Sequence, residues 1–239
     1  MNHSSLTVFF LCAGYGSRLH PLTEKTPKPL IPFKGKSALE WNIEKVIKLN
    51  PTQIIMNTHH LPQAFKAVSE KYGIQVFNEP EILGTGGSLG CLKDVLSKTD
   101  YFLIHNGDVL HTFDLQEFYQ RGREQGTFAS LIGIDLPKVN SLTFDSLHHL
   151  QGIHGYNGFK AVVQSQRLTY SGVALYHRDF LNYCESENSD IKSSWIKALN
   201  DSQKIEVVDY SQKHWFDFGT HEDLKKTTEW MEREHKVKA

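Results

Sequence analysis

Leu6-Thr7-Val8-Phe9-Phe10-Leu11-Cys12-Ala13-Gly14-Tyr15-Gly16-Ser17-Arg18 is the stretch on which the reading of this chain turns. Its first seven residues are mostly apolar, and their length and composition are those of a buried strand. They run without a break into a loop of small or flexible residues, Ala13, Gly14, Gly16 and Ser17, and Arg18 follows at once. Closely spaced glycines let backbone N–H groups crowd around an anion, and a neighbouring cation adds charge neutralisation. A second cation, Lys28, is set between Pro27 and Pro29. The simplest ligand for such a place is a nucleoside triphosphate. The loop is not a Walker loop, which ends in Gly-Lys and Ser or Thr, and it lacks the third glycine of a dinucleotide fingerprint.

Outward from this strand, the first half of the chain alternates strands with helices. The spacing predicts a helix from Ser37-Ala38-Leu39-Glu40 to Pro51, with Leu39, Ile43, Val46 and Ile47 on one face. Strands are predicted over Gln53–Asn57, Ile74–Phe77, Tyr101–His105 and Phe128–Ile134. Helices are predicted over Pro62–Tyr72, Ser88–Leu96 and Leu115–Gln125. Such alternation implies an α/β fold: a Rossmann-like, mostly parallel sheet flanked by helices, with ligands at the carboxyl ends of its strands. Residues 139–170 are rich in Gly, His, Asn and Gln and read as hairpins inserted over the active site. Gly172–Tyr176 returns to a strand, Ile205–Val208 is another, and Ile191–Leu199 and Glu222–Glu234 read as surface helices. The whole chain, 1–239, is expected to form a single domain.

The bulk numbers narrow the partners. A hydrophobic fraction of 39% and a charged fraction of 22% are those of a globular protein. A formal net charge of −1 gives no global electrostatic reason to expect nucleic acid or an anionic membrane. The three cysteines, Cys12, Cys91 and Cys184, are too few and too scattered for a disulfide framework, so the expected setting is cytoplasmic. Thirteen histidines include the pairs His59-His60 and His148-His149, but neighbours on a regular element face different ways, and no zinc-type spacing is present.

Three further segments bear on chemistry. Glu79-Pro80-Glu81-Ile82-Leu83-Gly84-Thr85-Gly86-Gly87 follows a strand and opens a helix. Its glycines suit either a plain helix start or a second wall of a nucleotide site. An ionised Glu79 only accepts hydrogen bonds, which would suit the N–H edge of guanine or uracil. His105-Asn106-Gly107-Asp108 ends a strand, and Asp108 there is either an Asx-turn residue or a hard oxygen ligand. Trp215-Phe216-Asp217-Phe218-Gly219-Thr220 precedes the last helix and isolates Asp217 among aromatics.

Taken in order, the strand, the double glycine, Arg18, Pro27-Lys28-Pro29-Leu30, the Leu-Gly-Thr-Gly-Gly run, the Gly-Asp step and the aromatic-Asp-x-Gly-Thr segment resemble the sugar-1-phosphate nucleotidylyltransferases along nearly the whole chain. The resemblance implies Mg²⁺-dependent transfer of a nucleotidyl group from a nucleoside triphosphate to a sugar 1-phosphate, with UTP or GTP as the favoured donor. It implies Arg18 and Lys28 as catalytic cations and Asp108 and Asp217 as Mg²⁺ ligands. Leu11, Ala13, Gly14, Gly16, Ser17, Glu79, Gly84, Thr85 and Asn106 would bind the nucleotide. Asn157, Thr169, Ser171 and Gly172 would meet the sugar. The Glu-Lys-Pro tripeptide of many relatives, whose lysine holds the sugar phosphate, is missing here, and Lys160 and Arg167 are the nearest substitutes. Such a chain is expected to work as a monomer or homodimer, without nucleic acid or membrane. Two alternatives remain: a nucleotide-sugar-binding regulatory subunit, or a thymidylyl- or cytidylyltransferase of the same fold.

Overall fold

The computed structural model describes residues 5–156 and 165–236. In chain order the elements are β1 (Leu6–Leu11), β2 (Pro32–Phe33), β3 (Lys36–Ser37), α1 (Ala38–Val46), β4 (Gln53–Thr58), α2 (Lys66–Tyr72), β5 (Gln75–Asn78), α3 (Gly84–Cys91), α4 (Lys93–Leu96) and β6 (Tyr101–Asn106). There follow β7 (Val109–His111), α5 (Leu115–Glu124), β8 (Ala129–Ile134), β9 (Leu142–Phe144), β10 (Leu150–Ile153), β11 (Gln166–His177), α6 (Ile191–Asn200), β12 (Ile205–Asp209), β13 (Trp215–Asp217) and α7 (His221–Lys236). No helix among the described residues is long and apolar enough to cross a membrane.

The main sheet runs β10-β9-β11-β6-β1-β4-β5, with β8 also paired to β11 and β12 paired to β8. β1 is parallel to both β4 and β6, and β4 to β5. Strand β1 is buried on both faces, and its alternation decides the layering. Val8 and Phe10 point into a core shared with Leu39 and Ile43 of α1, Val68 of α2 and Phe118 of α5. Phe9 points the other way, to Leu89 of α3, Leu96 of α4 and Trp195 of α6. Helices therefore cover both faces, as the α/β reading anticipates. A third, smaller core joins Leu19, Ile31 and Phe33 to Phe218 and Met231. It packs the segment after the glycine loop against the C-terminal helix.

Local chemistry explains the helix starts. Ser37 and Glu40 form a reciprocal capping box on α1, and Asp114 and Asp190 cap α5 and α6. Two expectations need correction. The helix expected over Ser88–Leu96 begins earlier, at Gly84, and breaks at Leu92 into α3 and α4. Its glycines let it lie against backbone: a Cβ on Gly84 would stand 2.6 Å from the Ser189 carbonyl, and one on Gly87 2.5 Å from that of Glu187. The strand expected over Gly172–Tyr176 is longer, Gln166–His177. Its first residues pair with β9, and its later ones with β6 and β8. The pairing with β8 shifts register between Tyr170 and Ala174, around Gly172 at φ +85°.

Candidate active site

The glycine loop leaves the carboxyl end of β1, beside the ends of β4 and β6. Asn57, at the end of β4, receives the Cys12 N–H at 2.6 Å and so fixes where the loop departs. Gly16 is left-handed at φ +64°, and its carbonyl accepts both the Leu19 N–H and the Thr23 hydroxyl at 2.9 Å. A side chain there would meet Thr23 Cγ2 at 3.0 Å, so glycine is required on two counts. Gly14, Ser17 and Arg18 are exposed on the outer side of the loop, Ala13 is buried and Leu11 half-buried.

Lys28 is the opposite case, a lysine only 5% exposed. Its Nζ donates to Asp108 Oδ2 at 2.8 Å and to Asp217 Oδ1 at 2.5 Å, and it lies 5.0 Å above the Phe218 ring. Burial on its own would depress this ammonium. The charges and hydrogen bonds of the two carboxylates outweigh burial and raise it above the ordinary lysine value. Arg18, whose side chain is 68% exposed, reaches within 3.8 Å of Asp217 Oδ2. Gly219 makes room for it, because a Cβ there would stand 2.7 Å from the guanidinium.

The two aspartates are 109 positions apart in sequence and are joined by a small two-stranded sheet. Asp108 sits in the turn between β6 and β7, and β7 pairs antiparallel with β13 so that Val109 stands opposite Asp217. The turn is tied to β1 by the Gly107 N–H on the Leu11 carbonyl, 2.9 Å. Beside this cluster opens a cavity of about 650 Å³. Arg18, Asn106, Asp108 and Asp217 line one side, and Thr169, Tyr170, Ser171 and Gly172 of β11 another. Trp215, Phe216 and three residues of α7, Asp223, Lys226 and Thr227, add to the lining, and Val109, Leu136 and Val139 give it an apolar part. Gly172 allows close approach: a Cβ there would stand 2.5 Å from the Asn106 side chain.

The sequence profile of the nucleotidyl transferase family matches residues 8–140, from the first strand past the Gly-Asp step. The chain belongs to the nucleotidyl transferase family. Among its relatives is the mannose-1-phosphate guanylyltransferase catalytic subunit beta of Drosophila pseudoobscura pseudoobscura, 24% identical over 221 residues, which are 90% of this chain and 59% of that protein. The chain thus spans about three-fifths of the length of the curated relatives it matches. Solved structures of the same fold include HddC from Yersinia pseudotuberculosis complexed with GMP-PN, with a TM-score of 0.73 at 20% identity, covering 93% of this chain and 98% of that one. A putative glucose-1-phosphate thymidylyltransferase from Bacillus anthracis, in complex with a sucrose, superposes with a TM-score of 0.78 at 18% identity, covering 95% of each chain.

Against this family background the structure groups Arg18, Lys28, Asp108, Asp217, Asn106, Thr169, Ser171 and Gly172 around one opening. Asn157 and Lys160 lie outside the described residues. Arg167 sits in the β9-paired part of β11 and does not line the cavity. Glu79 requires a correction. It is 1% exposed, and one oxygen accepts Asn57 Nδ2 at 2.8 Å and Ser88 Oγ at 2.5 Å while the other accepts the Leu83 N–H at 3.1 Å. A carboxylate this deeply buried, with three hydrogen bonds already made inside the protein, is withdrawn from a base edge; it holds Asn57, which in turn holds the glycine loop. Gly84 and Thr85 remain half-exposed at the start of α3, but the N–H groups of Gly86 and Gly87 are directed at the Ser189 carbonyl. Sequence reasoning did not single out Asp223, Lys226 and Thr227. The three- and four-residue spacing that places them on one face of α7 was the available signal.

Proposed function

We propose that this chain transfers a nucleotidyl group from a nucleoside triphosphate to a sugar 1-phosphate, yielding a nucleoside diphosphate sugar and pyrophosphate, with Mg²⁺ as cofactor. The observation that carries the reading is the Lys28 ammonium bridging Asp108 and Asp217 between the glycine loop and a cavity open to solvent. Each carboxylate keeps a second oxygen that Lys28 does not take, Asp108 Oδ1 and Asp217 Oδ2, and both side chains are about a third exposed beside the cavity. Among the described residues no cluster of three or more His, Cys, Asp or Glu side chains could hold an ion. Two carboxylates suit Mg²⁺, which usually takes one or two from protein and completes its shell with water and substrate phosphates. Asp108 and Asp217 would hold it, and when bound it supplies charge stabilisation to phosphate oxygens.

The chain's own groups do the rest. The loop at Gly14 and Gly16 offers backbone room to the triphosphate. An oxygen of the acceptor phosphate forms a bond to the α-phosphorus in line with the bond to the departing pyrophosphate, and that bond breaks. The acceptor is already ionised, so no general base is needed, and catalysis rests on positioning and charge. Arg18, exposed beside Asp217, neutralises the triphosphate and then the leaving pyrophosphate. Lys28, held rigidly, fixes the two carboxylates and adds positive charge beside the reacting phosphorus. The cavity between β11 and α7 takes the acceptor, its Trp215 and Phe216 rings meeting a sugar face and its half-exposed Thr169 a hydroxyl edge. GTP is the first donor to test, in view of the guanylyltransferase relatives, and UTP the second.

The test is pyrophosphate release by wild type, Asp108→Ala and Asp217→Ala with Mg²⁺ present. Each variant should fold and lose turnover by roughly 10²–10³ or more. Either variant retaining near-full turnover would remove the metal assignment.

A further inference from the structure

His105 and His111 are both buried, and no step above uses them. They stand on β6 and β7, on either side of the turn that carries Asp108. Their Nε2 atoms are 2.9 Å apart, with ring centroids at 5.1 Å. The direction of this bond is dictated by its two ends. The Phe113 N–H can only donate, so His111 Nδ1, 3.0 Å away, accepts and carries no proton. The proton of His111 is then on Nε2. At the far end the Asn106 carbonyl can only accept, so His105 Nδ1, 2.7 Å away, is the donor and His105 Nε2 is bare. One arrangement satisfies all three bonds: Phe113 N–H to His111, His111 to His105, His105 to the Asn106 carbonyl. It needs both rings uncharged. Burial keeps them so, pushing His105 down to about 3 and His111 well below the ordinary histidine value.

The peptide groups around this relay are pinned as well. The Val109 carbonyl accepts Asn42 Nδ2 at 2.6 Å, and the His111 carbonyl accepts the Lys45 ammonium. The Gly107 N–H is bound to Leu11 at the end of β1. The Asp108 turn is thus fastened to β1, to α1 and, through the two rings, across its own base. The consequence extends to the second carboxylate. In the β7–β13 pairing His111 stands opposite Trp215 and Val109 opposite Asp217, so the height of β7 sets the height of Asp217.

We propose that His105 and His111 are positioning residues: their one-way hydrogen-bond relay sets the turn at Asp108 and, through β7 and β13, the spacing of Asp108 and Asp217 on which the proposed transfer depends. Partners that orient metal-binding side chains typically contribute 10–100-fold to metal affinity or activity when removed.

The test combines spectra, metal binding and kinetics on the full chain. Long-range ¹H–¹⁵N spectra of the wild type should show His105 as the Nδ1-H tautomer and His111 as the Nε2-H tautomer. Mn²⁺ binding, followed by electron paramagnetic resonance, should weaken about 10–100-fold in His111→Phe. In the same variant kcat should fall by a similar factor while KM for the triphosphate stays within about twofold. His111→Gln, which keeps a donor at the same reach, should recover most of both. A wild-type spectrum with His105 protonated on Nε2 would overturn the proposal, and it requires no variant to fold. So would a folded His111→Phe protein with unchanged Mn²⁺ affinity and kcat, losing only thermal stability. Wild-type protein that binds Mn²⁺ with the stated tautomers yet releases no pyrophosphate would sink the functional reading and leave the relay standing.

Discussion

Replacing Lys28 by Met keeps the stem over the Phe218 ring and removes the charge that joins Asp108 to Asp217. The two carboxylate oxygens, 2.8 and 2.5 Å from one nitrogen, stand at most about 5 Å apart, where like unit charges at an effective dielectric of about 20 repel by about 3 kcal/mol. Both carboxylates are about a third exposed, so water screens part of this and about 1–2 kcal/mol remains. For a chain of this size that lowers the thermal midpoint by about 3–6 °C. A divalent cation can stand in for the lost ammonium, so Mg²⁺ should raise the midpoint of Lys28→Met more than that of wild type. It should not rescue rate: losing one preorganised charge typically costs roughly 10²–10³ in kcat. The assays are differential scanning fluorimetry across a Mg²⁺ titration and pyrophosphate release. A Lys28→Met protein with a wild-type response to Mg²⁺, or with undiminished turnover, would refute the bridging role.

Other outcomes follow from single groups. Lys45 is half-buried with its ammonium on the His111 carbonyl, and desolvation there lowers it to about 8. The unfolded chain then binds more protons between pH 8 and the ordinary lysine value, so wild-type stability should rise over that interval, by at most about 1.4 kcal/mol per pH unit. Lys45→Met should flatten this rise in urea titrations at pH 7.5 and 9.5, and an unchanged slope would count against it. Lys28 has the opposite sign: its raised value keeps its stabilisation intact below the ordinary lysine range, and loss should begin only above about pH 10. Gly172→Ala forces a side chain to φ +85° and onto Asn106, and should raise KM for the acceptor at least tenfold in steady-state pyrophosphate-release assays. Glu79→Gln places an amide against the Leu83 N–H and should cost about 1–3 kcal/mol in urea unfolding without altering the preference among triphosphates. A changed preference would restore Glu79 as a reader of the base.

The fold was legible because its signals are local and repeated. Apolar runs such as Leu6–Leu11, helical spacing in Ala38–Val46 and the Ser37–Glu40 cap each specify one element without reference to the rest. Much of the candidate site was legible too, since a glycine loop, two cations and two isolated aspartates are chemically distinctive in sequence. What sequence could not show is how buried polar groups spend their hydrogen bonds. Glu79 looks like a free acceptor until Asn57, Ser88 and Leu83 are seen around it. His105 and His111 look like two unremarked histidines until the turn at Gly107 brings their Nε2 atoms into hydrogen-bond contact. Asp108 and Asp217 need the pairing of β7 with β13, two three-residue strands too short to leave a periodicity.

Pyrophosphate release by the purified chain tests the central claim most directly, measured with Mg²⁺ or EDTA across GTP, UTP, dTTP, CTP and ATP against a panel of sugar 1-phosphates, with the products weighed by mass spectrometry. The account predicts release confined to one or two donor–acceptor pairs, GTP or UTP foremost, with an equal amount of nucleoside diphosphate sugar and none in EDTA. Triphosphate binding without release on any pair, or release that EDTA leaves untouched, would contradict it.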